Sequence, residues 1–140
     1  MPPLQLIADP EALLQLPVEK TLRQIAIAMV DILSEPTTNA LFCLMLSEAL
    51  HSSEVSHLVF RGGSQKILSV MYAYFDRLMS EGILRQVDVG AALRCFVGPI
   101  AAYMLNDRML KMPDEKSPAR DVMIDTHISI FLKGLDYQKD

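Results

Sequence analysis

The chain has 140 residues, which is enough for one domain with a substantial core and too few for two domains of ordinary size. Apolar residues make up 51% and charged residues 21%, a balance typical of globular rather than disordered proteins. The net charge is −4 and the 13 Lys and Arg residues are scattered, so this chain offers no basic patch for phosphate contacts and is not expected to bind DNA by itself.

The first half of the chain is divided by prolines. A short opening helix is expected to end near Leu16, and Pro17 can occupy the first turn of the next helix. Pro36 stops that second helix, and Thr37 or Thr38 can cap a third. The apolar residues of the second helix keep helical spacing and predict one buried face, formed by Leu22, Ile25, Ala26, Met29, Val30 and Leu33.

The third predicted helix, Asn39–His51, is apolar on every side over its first two turns. A helix of this kind is typically buried all round, so we expect it to run through the centre of the domain. Ser53 can cap a short helix over Glu54–Arg61, and Gly62-Gly63 then interrupts the chain.

The second half contains the longest helices. Ser64 can cap a helix that runs to Glu81, where Gly82 is placed to end it in the left-handed conformation. Asp88 can cap the next helix, and Ser117-Pro118 can open the last. No segment alternates with a period of two residues, so the sequence predicts an all-α fold, an antiparallel bundle of six to seven helices.

The segment Val89–Leu110 has two contrasting faces. One carries large core residues, whereas the other is mostly small and would let a second helix approach closely. A similar apolar stripe runs along the last helix. Two such helices from each of two chains would form a four-helix dimer interface, although both faces could also be covered within one chain. The predicted interface residues are Ala91, Arg94, Gly98, Ala101, Ala102, Leu105, Ile124, His127, Ile128 and Phe131.

Aromatic and Met side chains on three long helices predict a largely apolar cavity for a small ligand. The alternative is that the same side chains simply fill the core. The residues in question are Phe42, Met45, Met71, Tyr74, Phe75, Phe96 and Ile100.

The sequence gives no positive evidence for catalysis, a metal or a cofactor. The pairs Glu48/His51 and Glu54/His57 have the spacing of di-iron sites, but no second motif accompanies them, so surface residues are the favoured interpretation. Gly62-Gly63 lacks the lysine of a phosphate-binding loop, and no nucleophile-elbow motif is present.

The cellular context follows from what the chain lacks. Its first residues contain no signal-peptide pattern, and the longest uncharged runs are twelve residues, whereas a membrane span needs about twenty. We therefore expect a cytoplasmic protein without a membrane contact, in which Cys43 and Cys95 are buried free thiols.

The stretch 39–88 resembles a known family. It reads NALFCLMLSEALHSSEVSHLVFRGGSQKILSVMYAYFDRLMSEGILRQVD and is similar to the C-terminal domain of TetR/AcrR-type transcriptional regulators. The phrases RCFVGPIAAYML (94–105) and ISIFLKGL (128–135) resemble the last two helices of that family. The resemblance implies a repressor-type homodimer joined by these helices, with a pocket for a small apolar or amphipathic effector whose binding releases DNA.

The resemblance also implies a division of the chain. Residues 17–140 would form the ligand-binding and dimerisation domain, and residues 1–16 the remnant of a connecting helix. The helix-turn-helix domain of this family is not in the sequence, so DNA binding is expected only through such a domain in a full-length protein. A dimeric helical interaction module without a small ligand is the alternative.

Overall fold

Helices account for nearly all of the structure, a computed structural model that describes residues 10–59, 61, 65–112 and 116–138. No strand occurs within these ranges, which confirms the all-α prediction. The seven α-helices of the described ranges are α1 (Pro10–Gln15), α2 (Val18–Asp31), α3 (Pro36–His51), α4 (Ser53–Val59), α5 (Gln65–Ser80), α6 (Val89–Tyr103) and α7 (Arg120–Gly134).

Two helix boundaries have the predicted stop and start signals. Gly82 adopts a φ of +75° just after α5, a conformation that suits glycine because it has no Cβ. Asp88 caps α6, since its Oδ2 accepts a hydrogen bond of 2.8 Å from the Ala91 N–H.

Other caps differ from the prediction. Glu35, rather than Thr37 or Thr38, caps α3, because its carboxylate accepts the N–H groups of both threonines while Pro36 begins the helix. Ser52, rather than Ser53, provides the hydroxyl that accepts the Val55 N–H at the start of α4.

The last helix also begins later than predicted. Ala119 precedes its first residue, Arg120, and no side chain caps it, while the Ser117 hydroxyl bonds to Asp107 instead. The predicted cap at Ser64 and the break at Gly62-Gly63 lie outside the described residues.

The core is built by α2, α5, α6 and α7, each of which turns one apolar side inward. At its centre Phe75 and Phe96 meet edge to face, with ring centroids 5.9 Å apart. Phe131 lies 5.3 Å from Phe96 and 5.8 Å from Phe75, so three helices share one aromatic cluster. Such pairs add stabilisation beyond the area that they bury.

Two ion pairs fix α2 and α7 in antiparallel orientation. Arg23 near the start of α2 contacts Asp125 at 2.8 Å, and Asp31 at its end accepts from Arg120 at 2.6 Å. These pairs are largely solvent-exposed, so they set the register of the two helices more than they stabilise the fold.

The helices α3 and α4 form an arm, residues 36–59, that stands apart from this core. They pack on each other, on a short 3-10 helix at Ile32–Ser34 and on the π-helical segment that follows α6, and α3 has no buried residue. Leu41, Leu44 and Leu50 are 53%, 58% and 76% exposed. The prediction that this helix runs through the centre of the domain is therefore wrong for the single chain.

The arm is fixed at its base by one amide. Asn39 Nδ2 donates to the carbonyl of Leu33 at 2.9 Å and to that of Arg108 at 2.8 Å. Arg108 belongs to a π-helical segment, Met104–Met109, that continues α6. Asn39 therefore joins the arm to both neighbouring segments at once.

Among the described residues, α6 and its π-helical continuation form one long apolar segment. Val89–Met109 is long and apolar enough to cross a membrane, and one third of its most apolar window is buried in the fold. Core helices of water-soluble proteins have the same properties, and α6 supplies six buried residues to the core.

Candidate functional site

The outward side of α6 is a strip of small residues. Ala91, Cys95, Gly98 and Ala102 follow one another at helical spacing, and all are exposed. Leu105, 40% exposed, extends the strip towards the arm, and Ile130 of α7 lies beside it at 68% exposure. We call these six residues the α6–α7 face.

The interface residues predicted on α6 all lie on or beside this face. Arg94 and Ala101 flank the strip, and like the other four predicted α6 residues they are exposed in the single chain. No additional movement of α6 is needed to present them to a second chain.

The interface residues predicted on α7 lie elsewhere. Ile124, His127, Ile128 and Phe131 are buried in the chain's own core, where they pack towards α2 and α6. The predicted interface stripe is the inward side of α7 in the single chain, because the helix must bury an apolar side to join the bundle. Ile130, which the sequence analysis missed, is the exposed apolar residue next to α6.

A groove of about 410 Å³ separates the two helices on this face. Ala91, Cys95 and Pro99 line its α6 side, and His127 and Ile130 line its α7 side. Cys95 is exposed and Cys43 on the arm is half-buried, both as free thiols, so the prediction that both are buried is wrong. The spacing of Cys95 with Ala91, Gly98 and Ala102 is a signal that could have placed it on the face.

His127 lies beneath this groove and bonds to the backbone. Its Nε2 is 2.7 Å from the Phe96 carbonyl oxygen, and its ring stacks at a tilt on the Phe96 ring, 5.3 Å away. Burial lowers the pKa of His127, and the hydrogen bond to Phe96 offsets part of that shift. The histidine is therefore held neutral, with its Nε2–H donating to the carbonyl.

The residues predicted to line a ligand cavity fall into two groups. Met71, Tyr74, Phe75, Phe96 and Ile100 are brought together, but Phe75, Phe96 and Ile100 are at most 1% exposed and are packed in the core cluster. Phe42 and Met45 lie on the exposed arm, outside that cluster. The structure thus separates α3 from the helices that the prediction placed opposite it.

The open space of the molecule lies in grooves between elements. One of about 730 Å³ runs between α5 and α6, with Leu68 and Tyr72 on one side and Arg94 and Val97 on the other. Another, of about 520 Å³, lies at the end of the bundle where α1, the end of α5 and the segment after α7 converge. We call the second one the end cavity. Its volume is in the range of small-molecule sites.

Tyr74 is both one of the residues predicted to bind a ligand and one of the residues that line the end cavity. It lines the cavity but is only 5% exposed, and among the described residues its hydroxyl lacks a hydrogen bond of normal geometry. The Thr21 hydroxyl, on α2, is also buried and lacks such a bond. Burial raises the pKa of Tyr74 to about 12, and the interaction with the neighbouring Thr21 hydroxyl offsets part of that rise.

The acidic and histidine residues considered as metal ligands lie at the outer end of the arm. Glu48, His51, Glu54 and His57 are all exposed. Within the described ranges, no group of three or more His, Cys, Asp or Glu residues could hold a metal ion.

A family model described as the C-terminal domain of AefR-like transcriptional repressors matches residues 20–134. The chain therefore belongs to this TetR-type family of regulatory domains, which are not enzymes. No curated protein and no solved structure matches the chain.

Proposed function

We propose that this chain is the effector-sensing and dimerisation domain of a cytoplasmic TetR-family regulator and that it forms a two-fold homodimer through the α6–α7 face. The observation that carries the proposal is the exposed strip of small residues on α6. Family membership supports dimerisation and effector binding in general.

The chemistry of the face suits close helix packing. Ala91, Gly98 and Ala102 leave little side-chain volume between a helix and its neighbour, so two α6 helices can approach to the short end of the usual 8–10 Å range. A two-fold axis brings the same patch of both chains together, and each chain then covers the other's Leu105 and Ile130. These side chains are otherwise exposed to water.

The α6–α7 face can be tested with a substitution at a residue whose surroundings in the single chain leave space for a larger side chain. A Cβ on Gly98 would meet nothing within 4 Å, so Gly98→Glu leaves the monomer fold intact. In a dimer, the same carboxylate would be forced against the partner's helix. The matched control is Ala73→Glu, which adds the same charge to an exposed position on α5.

Sedimentation equilibrium measures the outcome. We expect a two-chain mass for the unmodified protein and for Ala73→Glu at micromolar concentration, and a one-chain mass for Gly98→Glu with an unchanged helical circular-dichroism spectrum. A one-chain mass for the unmodified protein, or a dimer of undiminished affinity with Gly98→Glu, would refute the proposed interface.

For the sensing role, we propose that a small apolar or amphipathic effector binds this domain and that binding shifts a two-state equilibrium, which changes the DNA affinity of an attached helix-turn-helix domain. Such coupling requires that the effector bind one state more tightly than the other. We further propose that residues 17–140 form the sensing and dimerising unit, with residues 1–16 belonging to the connection.

Native mass spectrometry of protein purified without added ligand tests the sensing role. A co-purifying organic molecule supports it. A ligand-free dimer that also binds none of a panel of small apolar compounds favours the alternative, a dimeric helical interaction module.

A further inference from the structure

One side of helix α3 in the arm is apolar and exposed. Four exposed residues share this side at the helical spacing i, i+3, i+4 and i+7, and we call them the arm face: Leu41, Leu44, Met45 and Glu48. Asn39, which holds the base of the arm, lies on the other side of the helix, and Phe42 lies off the arm face. This spacing is typical of a helix that lays one side into an apolar groove.

Among the described residues, the chain itself leaves the arm face uncovered. α3 packs mainly on α4, on the 3-10 helix before it and on the π-helical segment. Asn39 fixes that position through its hydrogen bonds to the carbonyls of Leu33 and Arg108. Burial of exposed apolar side chains is the main driving force of protein association, so the arm face suits a contact with another molecule.

The groove between α5 and α6 offers a matching surface. It measures about 730 Å³, and Leu68, Tyr72 and Val97 supply apolar walls. Tyr72 is 49% exposed there. Arg94 is the only charged residue that lines the groove. Its guanidinium donates to the Gly90 carbonyl at 3.2 Å and forms no ion pair among the described residues.

The arm and the groove carry opposite charges. Glu48 and Glu54 are the only acidic residues of the arm, which contains no Lys or Arg. Neither forms an ion pair within the described part of the chain. Asp88, near Arg94 in sequence, is occupied at the cap of α6, where it accepts the Ala91 N–H. An unpaired acid of the arm face and an unpaired cation of the groove can therefore complement each other.

A two-fold axis through the α6–α7 face brings the two surfaces together. Gly98 is at the middle of the strip that runs from Ala91 to Leu105, so antiparallel packing about Gly98 places Leu105 of one chain opposite Ala91 of the partner subunit. The base of the arm, at Arg108, is one helical turn further on, beside the start of the partner's α6. α3 is about 24 Å long and packed helices lie about 8–10 Å apart, so the arm is long enough to cross the partner's α6.

We propose that each arm of the dimer crosses to the partner, with its arm face in the partner's α5–α6 groove and Glu48 paired with Arg94 of the partner subunit. The proposal rests on the dimer proposed above and adds a second contact region to it. The α6–α7 groove is the less suitable of the two grooves beside α6, because it is smaller and its Arg85 already contacts Asp136 at 3.6 Å.

Charge reversal tests the pair. Glu48→Arg and Arg94→Glu each place like charges opposite each other in two symmetric contacts, so we expect each to raise the Kd of the dimer about tenfold. The combination of both reversals should return the Kd to within about threefold of the original value, because residues in contact are not additive. Glu54→Arg is the control: it makes the same change off the arm face and should not restore the affinity of Arg94→Glu. Sedimentation equilibrium measures all of these variants.

The position of the arm can also be observed without a substitution. Chains with isotope-labelled Leu and Met methyl groups are mixed with an equal amount of unlabelled chains, and isotope-filtered NOEs then report only contacts between subunits. We expect NOEs from the methyl groups of Leu41, Leu44 or Met45 to the Tyr72 ring of the other subunit. The same sample prepared with Gly98→Glu should lose them.

Two results would overturn the proposal. One is a dimer in which the arm methyl groups give no NOE to the Tyr72 ring of the other subunit. The other is a combined Glu48/Arg94 reversal that associates no more tightly than the weaker of the two single variants. In both cases the two-chain mass remains and the dimer through the α6–α7 face stands. A one-chain mass for the unmodified protein refutes that dimer itself, and the crossed arms with it.

Discussion

The arm and the four-helix core are both rich in apolar residues, but they use them differently. In α2, α5, α6 and α7 most of the large apolar residues lie on the inward side and are buried there, although α7 also exposes Ile130, whereas in α3 apolar residues surround the helix and none is buried. One-sided spacing predicts burial because a polar side must face water and the opposite side must then be covered. Apolar character on all sides gives no such direction, so it does not specify which element covers the helix.

The comparison can be tested most directly with two phenylalanines. Phe75 is fully buried in the aromatic cluster, and Phe42 on the arm is 42% exposed. We expect Phe75→Ala to lower the free energy of unfolding by about 3–5 kcal/mol, because it removes a core side chain and leaves a cavity. Phe42→Ala should lower it by less than about 1 kcal/mol.

Urea denaturation at a fixed protein concentration measures both variants. A loss for Phe42→Ala as large as that for Phe75→Ala would contradict the exposed arm and show that α3 is packed in solution. Repeating the measurement on Gly98→Glu would then show whether that packing depends on the α6–α7 face.

The junction between the two regions is Asn39. Asn39→Ala removes the two hydrogen bonds that hold the base of the arm to Leu33 and Arg108. We expect a loss of about 1–2 kcal/mol in the free energy that keeps the arm docked, since each neutral hydrogen bond contributes about 0.5–1.5 kcal/mol.

Limited proteolysis measures that loss as a roughly tenfold faster cleavage within residues 36–59, because cleavage follows the population of the opened arm. Asn106→Ala is the control, since that side chain is exposed on the π-helical segment. Equal cleavage rates for the two variants would mean that Asn39 does not anchor the arm.

The smallest expected effect concerns pH. The pKa of His127 is lower in the folded chain than its ordinary value of 6.5, mainly because of burial. Its contribution to stability is therefore complete above about pH 6.5 and is lost as the pH falls towards the folded-state pKa, since the unfolded chain takes up the proton first. Thermal melts at pH 7.5 and pH 5.5 should show a smaller decrease for His127→Gln than for the unmodified protein. An identical pH dependence for His127→Gln and the unmodified protein would show that the buried imidazole does not contribute to it.

Local signals in the sequence predicted the bundle well. Asp88 and Gly82 act at helix ends as their chemistry indicates, and the stripe from Leu22 to Leu33 is mostly buried. The start of α3 was harder to place because Glu35 caps it with both carboxylate oxygens, a role more often taken by shorter side chains.

The candidate sites were harder to predict, because they depend on how the helices pack together, and the spacing of residues along one helix does not determine that packing. The strip on α6 was recognisable because small residues repeat along one helix, but α7 has apolar residues on both sides, and only the structure shows that Phe131 faces inward and Ile130 outward. The end cavity combines side chains as distant in sequence as Leu13, Tyr74 and Tyr137, so no local pattern could predict it.

The turn that follows α5 is bound to the end of α7 through Arg85. Its N–H donates to the Leu135 carbonyl at 2.7 Å, and its guanidinium donates to the Gly134 carbonyl at 2.9 Å. The amide hydrogen of Arg85 can therefore exchange with solvent only when the end of α7 detaches or the turn opens. The rate at which this amide hydrogen exchanges in deuterated water therefore measures how often the end of α7 detaches, and the measurement needs no substitution in the chain.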